Sequence, residues 1–102
     1  MEFRFENKDL EKLYTEGRSR KYKLSDDIID KFFARIQQIE AATDIYDLWN
    51  DKGLNFEKLR GFENRYSMRL KNKYRLEICI DWLNAEKTIG GFAIVEVSNH
   101  YA

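Results

Sequence analysis

Two arginines, Arg69 and Arg75, stand six residues apart around a turn-like Lys71-Asn72-Lys73. That spacing puts them on adjoining strands of a hairpin, where facing side chains approach to roughly 5 Å. Two guanidinium groups so placed can converge on one phosphate, each able to bind two oxygens at once, which lysine cannot do. Nearby stand Glu57, Lys58 and Arg60, and at the far end His100, the only histidine. An imidazole titrating near pH 6.5 suits both halves of acid–base catalysis. A base, an acid and cations are what phosphoryl chemistry without a metal requires. On the residues alone a second reading stands beside this one. Arg69 and Arg75 are also ordinary solvated strand residues paired with Glu77 or Asp81, and His100 is also a frayed terminal residue.

The elements that would position these groups follow from periodicity. Phe3-Arg4-Phe5 alternates and predicts a short strand. Asn7 is a helix cap, with Leu10, Leu13 and Tyr14 on one face and Gly17 as the stop. Ser25-Asp26-Asp27 opens a longer helix whose Ile28, Ile29, Phe32, Phe33, Ile36 and Ile39 form a core-facing stripe. Thr43 or Asp44 caps one more short turn carrying Ile45, Leu48 and Trp49, ended by Gly53. The period then changes from 3.6 to 2. Strands are predicted over 54–59, 65–70, 74–82 and 92–98. In these, Tyr66, Met68, Leu70, Leu76, Ile78 and Ile80 share one face and Arg65, Ser67, Arg69, Arg75 and Glu77 share the other. Helices followed by a meander predict an α+β fold, with the N-terminal strand and helices on one face of a C-terminal antiparallel sheet and the other face open.

Composition bounds the rest. A chain of 102 residues with 43% hydrophobic and 15% aromatic side chains can bury one core, so residues 1–102 are expected to form one domain. No apolar run is long enough to span a membrane and the N-terminus lacks a signal-peptide stretch, so no membrane partner and a cytoplasmic location are expected. One cysteine and one histidine are too few for the usual zinc sites, and neither metal nor cofactor is expected. Cys79 reads as structural. The net charge is zero, but residues 54–75 carry seven bases against two acids. Such a block attracts a polyanion even when the whole chain is neutral. Arg18, Arg20, Lys21 and Lys23 form a second basic cluster, read either as a solvated loop or as a contact to nucleic acid.

The ordered set Leu59-Arg60-Gly61, Tyr66-Ser67-Met68-Arg69-Leu70 and Tyr74-Arg75-Leu76 resembles the HigB-like branch of the RelE/ParE toxin superfamily. The Phe3-Arg4-Phe5 start, Ala41-Ala42 before Asp44, and the Val95–Tyr101 end are also similar to that family. The resemblance implies a RelE-like fold whose sheet binds RNA, and a toxin that cuts messenger RNA in the ribosome through attack by the RNA 2′-hydroxyl. It implies His100, Arg75, Arg69 and Glu57 as the catalytic set, with Arg60, Lys58, Arg65, Lys73 and Tyr101 as RNA contacts. It also implies a helix-turn-helix, HigA-like antitoxin as partner, with operator DNA reached only through that antitoxin. The departures are specific. Glu57 stands where relatives often carry histidine, Arg60 where they carry lysine, and Ser98-Asn99 where they carry an acid and a tyrosine. An acidic partner for His100 would then come from Glu57 or Glu96. The altered tail keeps open a non-enzymatic binding module of the same fold, either a gyrase poison or a degenerate toxin that only binds its antitoxin.

Overall fold

The computed structural model describes residues 1–99. Strand β1 (Phe3–Phe5) leads into helix α1 (Lys8–Glu16), helix α2 (Asp26–Ala41) and the short α3 (Tyr46–Trp49). Strands β2 (Glu57–Lys58), β3 (Arg65–Arg69), β4 (Tyr74–Trp82) and β5 (Gly90–Asn99) follow. The sheet order is β1-β5-β4-β3-β2. The fold is α+β, as the sequence predicts. The sheet is mixed, however, because β1 joins its edge parallel to β5, with Phe3 beside Phe92 and Phe5 beside Ile94.

Local signals account for the helices. The Asn7 side chain accepts from the amides of Asp9 and Leu10, and Gly17 closes α1 in the left-handed region at φ 78°. Ser25 holds the cap position of α2, but its hydroxyl donates to the Asp27 carboxylate instead of accepting a backbone amide. Asp27 in turn accepts from the Ile28 amide at 3.1 Å and pairs with Lys71 in the β3–β4 turn. Lys71 and Ser25 together hold Asp27 down at about 2. The other end of α2 lacks a basic residue in its last turn and a glycine cap. There the Met1 ammonium donates to the carbonyls of Ile39, Glu40 and Ala42 at 2.7–3.1 Å, placing a cation at the negative end of the helix. Of the two cap candidates for α3, Asp44 is the one whose side chain accepts the Tyr46 amide.

All the helices lie on one sheet face. Leu10, Leu13, Phe32, Ile36, Ile39 and Leu48 meet Met68, Leu76, Ile78, Ile80, Phe92 and Ile94, all within 1% of complete burial. Trp49 packs edge-to-face with Phe56, ring centroids 4.6 Å apart, and remains partly exposed at the rim of the core.

The region 50–59 departs most from expectation. Gly53 does not end α3; it lies inside a 3-10 turn over Lys52–Leu54, and Asn55 follows with φ 44°. The strand expected over 54–59 is reduced to Glu57–Lys58. Leu54 and Phe56 are buried with the core, so their apolar character reflects packing of an irregular segment and not a long strand.

Gly90 tests the sheet packing. It faces Trp82 in the ladder, and a Cβ there would lie 2.5 Å from Ile80 Cγ2 and 3.0 Å from the Asp81 carbonyl. Both neighbours belong to a central strand and cannot withdraw. Gly90→Ala should therefore lower stability by roughly 1–3 kcal/mol, measured by chemical denaturation; an unchanged midpoint would mean that β4 and β5 pack less closely than described.

Candidate functional site

The register sorts the polar residues of the open face into rows. Arg69 on β3 faces Arg75 on β4, which faces Ser98 on β5. One step along, Glu57 on β2 faces Ser67, Ser67 faces Glu77, and Glu77 faces Glu96. A further step places Arg65 opposite Cys79. The expected juxtaposition of Arg69 and Arg75 is thus present as a direct cross-strand pair.

Their surroundings differ sharply. Arg69 is exposed. Arg75 is only 9% exposed, and its fork is engaged. Nε donates to the Ser67 hydroxyl at 2.8 Å, and Nη2 donates to the Asn55 carbonyl at 2.6 Å. Glu57 Oε1 lies 3.6 Å from Nη2 and supplies the opposing charge. Arg75 therefore ties β3, β4 and the 53–57 segment together from the open side. Arg35, 9% exposed on α2, grips the same region from the helix side. Its Nε donates to the Arg69 carbonyl at 2.7 Å, Nη1 to Gln38 at 2.8 Å and Nη2 to the Gly53 carbonyl at 3.4 Å. Desolvation pulls its basicity below the usual guanidinium value.

The remaining expected site residues are dispersed. Arg65 lies at the far end of β3, roughly 13 Å along the strand from Arg69. Its Nε donates to Glu77 at 2.8 Å, and its guanidinium covers the Phe62 ring. That pair and that ring contact hold it at the end of β3 away from the Arg69–Arg75 row. Lys58 pairs with Tyr66, whose ring is buried in the core, whereas Glu57 pairs with Ser67 on the open face. Strand alternation thus turns Lys58 away from the arginine pair. Arg60 is exposed in the β2–β3 turn, beside Gly61 at φ 84° and at the Arg65 end. Lys73 is exposed in the β3–β4 turn, next to the arginine row. His100 and Tyr101 lie outside the described residues.

Glu96, one of two candidate acids for His100, is otherwise occupied. Its carboxylate accepts from the Tyr22 hydroxyl and from the Val97 amide. Burial and that carboxylate push the Tyr22 hydroxyl well above the ordinary phenol range. Cys79 is half-buried and its thiol is also raised, by burial first, which makes it a poor nucleophile. Among the described residues, no group of three or more His, Cys, Asp and Glu side chains could hold a metal, and no helix is long and apolar enough to cross a membrane.

Sequence reasoning missed Arg35 and Asn55, and placed Ser67 on the open face without its role as the Arg75 acceptor. A signal existed for Arg35, which stands three residues after Phe32 and four before Ile39 and so falls on the apolar stripe. Asn55 contributes a backbone carbonyl, which no side-chain pattern reveals.

A helical layer on one face of a small mixed sheet, with an arginine-centred polar face opposite, defines a class of small α+β proteins. Within that class the chain belongs to the HigB-like family, the RelE-like toxins of type II toxin–antitoxin systems, which it matches over residues 3–89. The matched span holds the arginine pair and Glu57; β5 and the tail lie beyond it. No curated protein matches the chain.

The two arginines should separate on mutation. Arg75→Ala strands the Ser67 hydroxyl and the Asn55 carbonyl and should cost about 1–3 kcal/mol. Arg69→Ala removes an exposed side chain and should stay within about 0.5 kcal/mol of the parent. Urea denaturation of both variants measures this; equal losses would contradict the division of roles.

Proposed function

We propose that the chain is a ribosome-dependent endoribonuclease that arrests growth by cutting messenger RNA. The observation that carries this reading is the direct Arg69–Arg75 pair on the open sheet face of a HigB-like toxin. In the reaction the RNA 2′-hydroxyl attacks the adjacent phosphorus. The 2′-O–P bond forms, the P–O5′ bond breaks, a cyclic phosphate remains on one fragment and the 5′-oxygen leaves with a proton. Catalysis then requires a base, an acid and cations for the phosphorane.

Arg69 is the group exposed to hold the phosphate oxygens. Arg75 adds a second positive charge whose position is set by Ser67, Asn55 and Glu57. This makes Arg75 as much a positioning residue as a binding one, and its replacement by alanine tests folding as well as activity. Glu57 is half-exposed beside Arg75 and can take or relay a proton. His100 is assigned the proton transfer; it directly follows Asn99, the β5 residue that pairs with Tyr74, and Arg75 pairs with the preceding Ser98. Arg60, Lys73 and Tyr101 are assigned contacts to the RNA strand. No cofactor takes part. The ribosome supplies much of the substrate positioning, consistent with a chain of zero net charge. A helix-turn-helix antitoxin neutralises the protein in the cytoplasm and carries the pair to operator DNA.

Induced expression in a bacterium, with primer extension on several messages, tests the reading. The wild type should arrest growth and cut translated messages, while Arg69→Ala and His100→Ala should lower cutting at least tenfold without loss of soluble protein. Arrest with intact messages would replace the nuclease with a binding poison, gyrase being the next target to examine. Soluble protein that causes no arrest would indicate a degenerate toxin.

A further inference from the structure

The loop between α1 and α2 borders an open recess of about 450 Å³ lined by Lys12, Glu16, Arg18, Ser19, Arg20 and Lys23. Four of these side chains are cationic and one is acidic. Among the described residues none of the four cations takes part in an ion pair or a side-chain hydrogen bond, in contrast to Arg4, Arg35, Arg65, Lys71 and Arg75. Lys12 lies within α1, and Arg18, Arg20 and Lys23 follow its C-terminal end, where they complement the helix dipole, but that effect is satisfied by one or two nearby charges. Four unpaired cations around one recess exceed it.

The loop is also fixed in place. Tyr22, in its middle, donates to Glu96 on β5, and Lys21 lies over the Tyr22 ring. Asp27, just after the loop, pairs with Lys71 in the β3–β4 turn. Glu96 is two residues from Ser98, the ladder partner of Arg75, and Lys71 is two residues from Arg69. The β3–β4 turn, which joins the arginine-bearing strands, and the neighbouring β5 therefore anchor the basic loop at the end of the sheet that holds the arginine pair.

We propose that this recess is a second phosphate-binding site, which takes the backbone of the same RNA strand or of a flanking RNA segment. The proposal rests on the reading of the open face as an RNA site and extends it. Arg18 and Arg20 each present a bidentate fork, while Lys12 and Lys23 add point charges. Contacts of this kind position the RNA without reading its sequence. They give a protein of zero net charge a local basic surface larger than the arginine pair alone.

The test measures binding and not cleavage. A single-stranded 2′-O-methyl RNA oligonucleotide lacks the attacking hydroxyl and reports affinity by fluorescence anisotropy across a salt series. The triple variant Arg18→Gln, Arg20→Gln, Lys23→Gln should bind at least tenfold more weakly at moderate salt. Its slope of log affinity against log salt should be shallower by about 2, from the release of counterions at three single-strand contacts. The replaced side chains are exposed, so the melting curve should be unchanged. Unchanged RNA affinity and slope would overturn the proposal, as would failure of the wild type to bind at low salt. A variant that loses affinity for a protein partner while keeping its RNA affinity would overturn it too. Arg69→Ala, measured alongside, keeps the two readings distinguishable. If it binds as the wild type does while the triple variant is weak, the loop site stands and the open-face reading fails.

Discussion

The fold's polar face is organised around one buried guanidinium. Arg75 is placed by the β3–β4 register opposite Arg69, with Ser67 and the Asn55 carbonyl as acceptors and Glu57 as counter-charge. Removing a guanidinium from water is expensive unless its protons are matched. Here the match draws in three residues from two pieces of chain. Ser67 lies on β3, Asn55 follows the 3-10 turn, and Glu57 begins β2. An arginine that needs all three at once fixes the course of the 53–57 segment, which has little regular structure of its own to fix it.

Arg35 applies the same logic from the other side. It lies on the apolar stripe of α2 and gains its acceptors from Arg69, Gln38 and Gly53. The 53–55 segment is thereby held between two guanidinium groups, one rooted in the helical layer and one in the sheet. The exposed Arg69 stands at the junction: its carbonyl is held by Arg35 and its side chain faces Arg75. Two buried cations thus flank a third whose side chain is exposed. Positive charge held in place before a ligand arrives need not reorganise as charge develops on that ligand.

Much of this was legible from residue order. The limits of β1 and β4, the Asn7 and Gly17 ends of α1, and the facing of Arg69 and Arg75 follow from alternation, capping and the length of one turn. The segment 50–59 was not legible, because Leu54 and Phe56 alternate as a strand would while their backbone is set by Asn55 in the left-handed region and by contacts from residues 20 positions distant. The roles of Arg65 and Glu96 were hidden for a related reason. A charged residue shows its type in the sequence but not which partner claims it, and Glu77 and Tyr22 claim these two. Arg75 was recognised as important, but its burial depends on the Asn55 carbonyl, which any residue at that position would supply.

The most direct test of the arginine clamp is amide hydrogen exchange on Arg75→Lys, which keeps the charge and removes the fork. If the fork holds the segment, exchange should accelerate over 53–58 and at the adjoining amides of β3, with α2 and β5 protected as in the parent. Parental protection across 53–58 in the lysine variant would show that charge alone suffices, and would contradict the account of Arg75 as the residue that builds the face.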